Sequence, residues 1–237
     1  MTGYEERYDL ETAAAWILGH ARRTGVPALP EALARKTADE CAPEELCAVL
    51  EAGTAAGLKL YPFKRGTQTL QRTRRALGFL RSIPFDTMLD VGSGRGVFLI
   101  PFMKEFPHVR VTCLDLLDKR VAFLNELADG GFRQMHAERR DICSCPFPDG
   151  SFDVVTMLEV LEHIPEADQA VHAAVRMARK FVVVTVPSKP DDNPEHIHLL
   201  TKDILTRMFA SAGCTRLHFD GVEGHLFMTA AVDRQPD

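Results

Sequence analysis

The chain has 237 residues and a net charge of −5, from 28 Lys and Arg against 33 Asp and Glu, which is enough length for one α/β domain with a full core and an N-terminal addition. This balance argues against a protein that binds nucleic acid over its whole surface, and no apolar run approaches the roughly 20 residues needed to cross a bilayer. Residues 1–7 lack the basic flank and apolar stretch of a secretion signal, and the six cysteines are scattered as reduced thiols would be, so the expected location is cytoplasmic.

Residues 1–56 are rich in alanine and predict helices over 11–23, 29–38 and 43–56, with breaks at Gly25-Val-Pro27 and Ala42-Pro43. A strand-like 58–63 follows, so the region reads as a small helical or winged-helix cap. Trp16 and Tyr61 read as core or interface residues, because aromatic side chains are buried first for their area. Residues 57–82 hold seven basic side chains, Lys59, Lys64, Arg65, Arg72, Arg74, Arg75 and Arg81, and no acid. Leu70, Leu77 and Leu80 recur at helical spacing and put the arginines mostly on the opposite face. That face is either solvated surface or a surface for an anionic substrate, phosphate or RNA.

The most informative segment is 87–100. Met88, Leu89 and Val91 form an apolar strand run, Gly92, Gly94 and Gly96 allow a tight turn beside a ligand, and 97–106 continue at helical spacing. A dinucleotide fingerprint starting at Gly92 needs glycine where this chain has Val97, and Asp90 before the first glycine would repel a pyrophosphate. Strand-length apolar runs then recur at 86–91, 109–114, 134–140, 152–158 and 180–186 with helical segments between them. Such alternation predicts βαβ crossovers and a parallel sheet with helices on both faces. In the tail, a helix over 201–212 stops at Gly213, and strands over 215–220 and 225–232 are separated by a link so short that it suits an antiparallel pair. The predicted class is α/β, with an N-terminal cap over 1–82 and the main domain over 83–237. Cys143-Ser-Cys145 is the only close cysteine pair and lacks the second pair that a structural zinc site would use.

The strand ending in Asp90-Val-Gly-Ser-Gly-Arg-Gly96 resembles the first motif of the class I S-adenosylmethionine-dependent methyltransferases. Val111-Thr-Cys-Leu-Asp115 is similar to that family's second strand with its ribose-holding acid. Arg140-Asp141-Ile142 and Pro146 to Val155 are similar to its adenine-contacting Asp and the loop into strand four. The resemblance spans about residues 85–232 and implies a Rossmann-like, seven-stranded, mostly parallel sheet with an antiparallel last strand. It implies S-adenosylmethionine as cofactor, held by Asp90, Gly92, Ser93, Gly94, Gly96, Asp115, Leu116, Asp141, Ile142 and Glu159. In this assignment the glycines cradle the amino-acid end, Asp90 orients its ammonium through the loop, Asp115 holds the ribose and Asp141 the adenine.

Methyl transfer from a sulfonium depends mainly on alignment and on excluding water, while a hydroxyl acceptor must also lose its proton. Glu159, Glu162 and His163 stand at i, i+3 and i+4, so a helix begun by Glu159 would project all three from one face. The stretch resembles the Glu-x-x-Glu-His metal motif of small-RNA 2′-O-methyltransferases, and a similar one occurs in ubiquinone-pathway O-methyltransferases. This implies Mg or Mn on Glu159, Glu162, His163 and His196, His198 being an alternative to the last. The plain alternative is that the glutamates are acids at a helix start favoured by its dipole; without metal, His163 is the general base, with Glu162 beside it. Asp149 and Asp153 read as shaping the turn before strand four, and His20, His108, His136, His172, His218 and His225 as surface or half-buried residues. The expected activity is methyl transfer to an oxygen of a small molecule. The rivals are a metal-dependent RNA 2′-O-methyltransferase docking through the basic stretch, and a non-catalytic binding module acting through its N-terminal helices. A homodimer formed through the cap is a further expectation.

Overall fold

A computed structural model describes residues 4–64 and 70–232; Met1 to Gly3 and Arg65 of the basic stretch lie outside them. One seven-stranded sheet organises the chain, built from β1 (Thr87–Val91), β2 (Arg110–Asp115), β3 (Met135–Arg139), β4 (Phe152–Leu158), β5 (Ala178–Pro187), β6 (Arg216–Val222) and β7 (His225–Ala231). Their spatial order is 3-2-1-4-5-7-6. The first five pair in parallel, and β7 inserts antiparallel between β5 and β6. The strand order reverses between β1 and β4, so the chain leaves these two neighbours in opposite directions and opens a crevice at their carboxyl ends.

Helices α6 (Leu99–Glu105) and α7 (Asp118–Gly130) follow β1 and β2, while α8 (Ala167–Met177) and α9 (Lys202–Ser211) flank β5. Two apolar clusters result. One joins Leu124, Leu127, Phe102 and Val111 to residues of the cap; the other joins Val155, Val182 and Val184 to Ala170, Val171, Leu205 and Phe209. Val154 and Val155 are both fully buried, as expected of a strand covered on its two faces. Asp153 lies inside β4 rather than in the preceding turn, and its Oδ2 accepts the Asp86 N–H at 2.9 Å. Arg179 and Lys180 approach its other oxygen at 3.3 and 3.4 Å. Asp153 therefore anchors the amino-terminal edge of the sheet, away from the crevice.

The cap comprises α1 (Tyr4–Arg7), α2 (Leu10–Thr24), α3 (Glu31–Ala34), α4 (Pro43–Ala55) and α5 (Gln71–Leu80). Asp9 starts α2 by accepting from the Thr12 N–H and hydroxyl, and Gly25 ends it at φ 77°, as N- and C-caps do. Ala13, Ala14, Ile17 and Leu18 are buried on the face that meets α7 and α4, and each large aliphatic contributes roughly 1.5–3 kcal/mol. Because these residues belong to the same apolar cluster as α6 and α7, the expected boundary near residue 82 has a continuous core on both sides.

Two expectations for the cap need correction. The helix expected over 29–38 closes after Ala34, and a separate 3-10 turn, Ala38–Glu40, begins where Glu40 accepts the Thr37 N–H at 2.8 Å. The strand-like 58–63 is no strand. Its second half is a 3-10 turn, Tyr61–Phe63, with one isolated bridge from Tyr8 to Lys64, and Pro62 removes the donor that a ladder would need. Helix α5 forms where the leucine spacing predicts it, with Leu77 and Leu80 buried. Its arginines are partly spent on the protein itself. Arg75 meets Asp220 at 2.7 Å and lies over the Phe227 ring, and Arg81 pairs with Glu105.

Candidate active site

The turn after β1 has the form expected of it. Gly92, Gly94 and Gly96 have φ of 66°, 60° and 73°, a region costly for side-chain-bearing residues. A Cβ on Gly92 would stand 2.6 Å from Val160 Cγ2, whereas one on Gly94 would meet only a backbone oxygen at 3.7 Å. The turn is thus wedged against the chain after β4 on one side and open on the other. Asp90 is buried beneath it, with Oδ1 accepting the Thr156 hydroxyl at 2.6 Å, and the Ser93 hydroxyl donates to the Asp90 carbonyl at 3.1 Å. Burial raises the Asp90 carboxyl to about 6, the Thr156 and Ser93 hydrogen bonds oppose that rise, and the nearby charge of Asp115 adds to it.

Asp115 ends β2 with its carboxylate turned to the same crevice. Oδ2 accepts the Gly94 N–H at 3.0 Å and Oδ1 the Leu117 N–H at 2.9 Å. Leu116 is 59 % exposed beside it, an apolar surface that a planar ring could cover. Asp141 opens the turn after β3 and accepts the Cys143 N–H at 2.9 Å. Ile142 is buried in the second apolar cluster, so its side chain shapes the strand end from beneath. The structure therefore brings Asp90, Asp115, Asp141 and the three glycines to adjacent strand ends.

After β4 the chain departs from the expected geometry. No helix begins at Glu159. That residue has φ 59°, the only positive value among the described non-glycine residues, and a 3-10 turn, Leu161–His163, follows. Pro165 holds Ile164 extended, at φ −93° and ψ 116°, and α8 starts only at Ala167, in keeping with the restriction on a residue before proline. Glu159, Glu162 and His163 consequently share no helix face, and the glutamates are not helix-start acids. Glu159 turns toward β7, where its Oε2 lies 2.9 Å from His225 Nε2 and 4.0 Å from Arg72 Nε. Glu162 turns inward, is fully buried, and has neither carboxyl oxygen hydrogen-bonded. Burial pushes its carboxyl up to about 8, helped by the Glu159 and Asp191 charges and opposed by Arg72.

His163 and His196 close around Glu162. One ligand atom from each of the three lies within 4.8 Å of the others, and the two rings meet edge to face with centroids 4.7 Å apart. His163 Nδ1 donates to the Glu195 carbonyl at 2.8 Å, which leaves Nε2 with its lone pair. His196 Nδ1 lies 2.8 Å from Asp191 Oδ2, an ion-pair distance without hydrogen-bond alignment. His198 stays apart, bonded through Nε2 to the Ile164 carbonyl at 3.0 Å.

A family model described as a methyltransferase domain matches residues 88–180. Residues 88–180 carry a methyltransferase domain. The chain is 30 % identical to a 27-O-demethylrifamycin SV methyltransferase of Amycolatopsis mediterranei over 58 % of this chain and 54 % of that protein. A shorter stretch is 52 % identical to ribosomal RNA small subunit methyltransferase G of Bacillus pumilus, covering 19 % of this chain and 18 % of that protein. The chain thus spans about half the length of the first of these curated relatives and less of the second. Among solved structures, the fold is similar to a magnesium protoporphyrin IX methyltransferase of Synechocystis with bound S-adenosylhomocysteine. That likeness has a TM-score of 0.56 at 16 % identity, over 69 % of this chain and 83 % of that one.

The methyltransferase crevice fits an S-adenosylmethionine molecule. The open glycine turn, with Asp90 buried beneath it and Asp115 beside it, would hold the amino-acid end and the ribose, and the exposed Leu116 would lie against the adenine ring. The donor set also fits a divalent ion at Glu162, whose buried oxygens lack partners, with one nitrogen each from His163 and His196. Glu159 falls outside that set. With it withdrawn, the site holds two imidazoles and one carboxylate, which suits manganese better than magnesium. Three side chains that bear on the site escape local sequence patterns: Arg72, His225 and Asp191. Arg72 was visible only as one of seven basic residues, and His225 had no local signal because its contact is made across the sheet.

Proposed function

We propose that this methyltransferase domain moves the methyl group of S-adenosylmethionine to an oxygen of a small molecule. The fully buried, unpartnered carboxyl of Glu162 carries the reading. Close beside His163 and His196, in its ionised form it can accept the proton of a hydroxyl brought in line with the sulfonium, so methyl transfer should rise with pH toward about 8. The chain's own groups do the positioning. The glycine turn and Asp115 fix the cofactor, Arg72 offers its guanidinium to the carboxylate of the methionine end, and the apolar strand ends exclude water from the reacting line. A divalent ion on Glu162, His163 and His196 would supply Lewis acidity that lowers the pKa of the acceptor hydroxyl.

The small-molecule acceptor is supported by the use of Arg75 and Arg81 in internal ion pairs, which shrinks the basic stretch as a docking surface, and by the rifamycin-modifying relative. The stretch shared with a ribosomal RNA methyltransferase keeps RNA as the second reading. The test incubates the protein with S-adenosylmethionine and, separately, with polyhydroxylated aromatic compounds or ribosomal RNA, and measures S-adenosylhomocysteine release by mass spectrometry before and after chelation. Release with the aromatic compounds supports the proposal, and release with RNA alone replaces the acceptor. Calorimetry showing no S-adenosylhomocysteine binding would sink the enzyme reading and favour a non-catalytic module.

A further inference from the structure

Glu159 combines three features that local chain geometry does not account for. Its backbone is in the left-handed region at φ 59°, where strain persists only when the surroundings enforce it. One carboxylate oxygen, Oε2, is held by His225 at 2.9 Å with Arg72 behind it at 4.0 Å. The other, Oε1, is buried with no hydrogen-bond partner.

His225 is itself fixed from both sides. Nδ1 donates to the Glu223 carbonyl oxygen at 2.9 Å, and Nε2 stands at ion-pair distance from Glu159 Oε2. The Glu223–His225 hairpin tip is tied down in turn, since the Ser188 N–H donates to the Gly224 carbonyl at 3.0 Å and Gln71 Nε2 to Glu223 Oε2 at 2.9 Å. His225 therefore acts as a fixed post that sets the direction of the Glu159 carboxylate.

The free oxygen needs a donor. Glu159 directly precedes Val160, the residue against which Gly92 is wedged, so it stands at the wall of the glycine turn. It lies outside the Glu162, His163 and His196 cluster. Resting on the methyltransferase reading above, we propose that His225 is a positioning residue that holds Glu159 so that its free oxygen receives the ammonium group of the cofactor. Asp90, buried below and bonded to Thr156, then acts on that group only through the loop.

The test is calorimetric and needs no acceptor. S-adenosylhomocysteine carries the ammonium group, whereas 5′-deoxy-5′-methylthioadenosine lacks the whole amino-acid end. His225→Phe should weaken S-adenosylhomocysteine about tenfold, the scale of a lost charge-assisted hydrogen bond, and leave methylthioadenosine within about twofold. His225→Gln, which keeps a donor, should recover part of the loss. The double variant with Glu159→Gln should bind no more weakly than Glu159→Gln alone, because the two residues act as one unit. Unchanged S-adenosylhomocysteine affinity in His225→Phe, equal losses for both ligands, or additive losses in the double variant would each overturn the inference while wild-type binding left the enzyme reading standing. Failure of the wild-type protein to bind S-adenosylhomocysteine would remove both.

Discussion

The carbonyl oxygen of Ala15 occupies the place where Gly130 would carry a side chain: a Cβ built on Gly130 would stand 1.6 Å from it. The contact is reciprocated one turn along, where a Cβ on Gly19 would stand 1.8 Å from the Glu126 carbonyl oxygen. Between these glycines the Glu126 carboxylate accepts Trp16 Nε1 at 2.7 Å and meets His20 Nδ1 at 2.8 Å. Helices α2 and α7 are pressed backbone to backbone, so the cap is built into the domain rather than hinged over it. Gly130→Ala should cost at least the upper end of the roughly 1–3 kcal/mol typical of overpacking, because a helix backbone must move. Gly78→Ala, in α5 with nothing within 4 Å, should instead gain up to about 1 kcal/mol from helix propensity. Urea denaturation midpoints of the two variants check both signs.

Asp115, the proposed ribose acid, also serves the fold. Its two oxygens hold the Gly94 and Leu117 N–H groups, so Asp115→Ala should weaken S-adenosylhomocysteine binding at least tenfold and also lower stability by about 1–3 kcal/mol through the freed donors. Calorimetry and thermal melting on one sample measure both, and unchanged affinity would undo the ribose assignment.

Cofactor affinity should depend on pH through Asp90. Its carboxyl is raised to about 6 by burial, and the ammonium group of the ligand favours the ionised form. Affinity for S-adenosylhomocysteine should therefore fall as pH drops below 6 and level off above 7, with protons released on binding near pH 6. In the free protein the sign is opposite. A carboxyl raised on folding stabilises below its unfolded value near 4 and loses that contribution as pH rises through 6. Titrations in buffers of different ionisation enthalpy, with Asp90→Asn as control, separate the two; no proton release in the wild type would refute the assignment.

Glu162→Gln should abolish most methyl transfer, by about 10²-fold or more if the carboxyl removes a proton, while S-adenosylhomocysteine binding stays within a few fold. Stability offers a second readout. With its carboxyl raised to about 8 by burial, Glu162 contributes stability that is present below pH 4.5 and lost as pH rises through 8. The wild-type melting temperature should fall between pH 6 and 9 more steeply than that of the glutamine variant. Parallel curves would show that Glu162 is not the titrating group.

Removal of divalent ions should leave S-adenosylhomocysteine affinity unchanged but lower methyl transfer, and manganese should restore it better than magnesium, given two imidazoles among three ligands. Activity indifferent to chelation would leave Glu162 and His163 as a purely organic acid–base pair.

Local patterns determined a good deal by themselves. Alternating apolar runs placed the five parallel strands to within a few residues, because burial against helices demands such runs most strongly at central strands such as β4, and the stop at Gly213 located the last two. The glycine spacing with Asp90 marked the nucleotide turn, because only glycine adopts those positive dihedrals cheaply. Tertiary structure alone decided the rest. Glu159, Glu162 and His163 look like one helix face until Pro165 defers the helix and a left-handed Glu159 sends two carboxylates in opposite directions. His225 and Arg72 come to Glu159 from a strand inserted antiparallel and from a cap helix, contacts set by the order of strands in the sheet. The docking of α2 on α7 depends on two glycines that read as ordinary helix residues in sequence. Short-range periodicity records backbone preference and burial, whereas the meeting of distant side chains follows from the sheet order and close packing that bring them together.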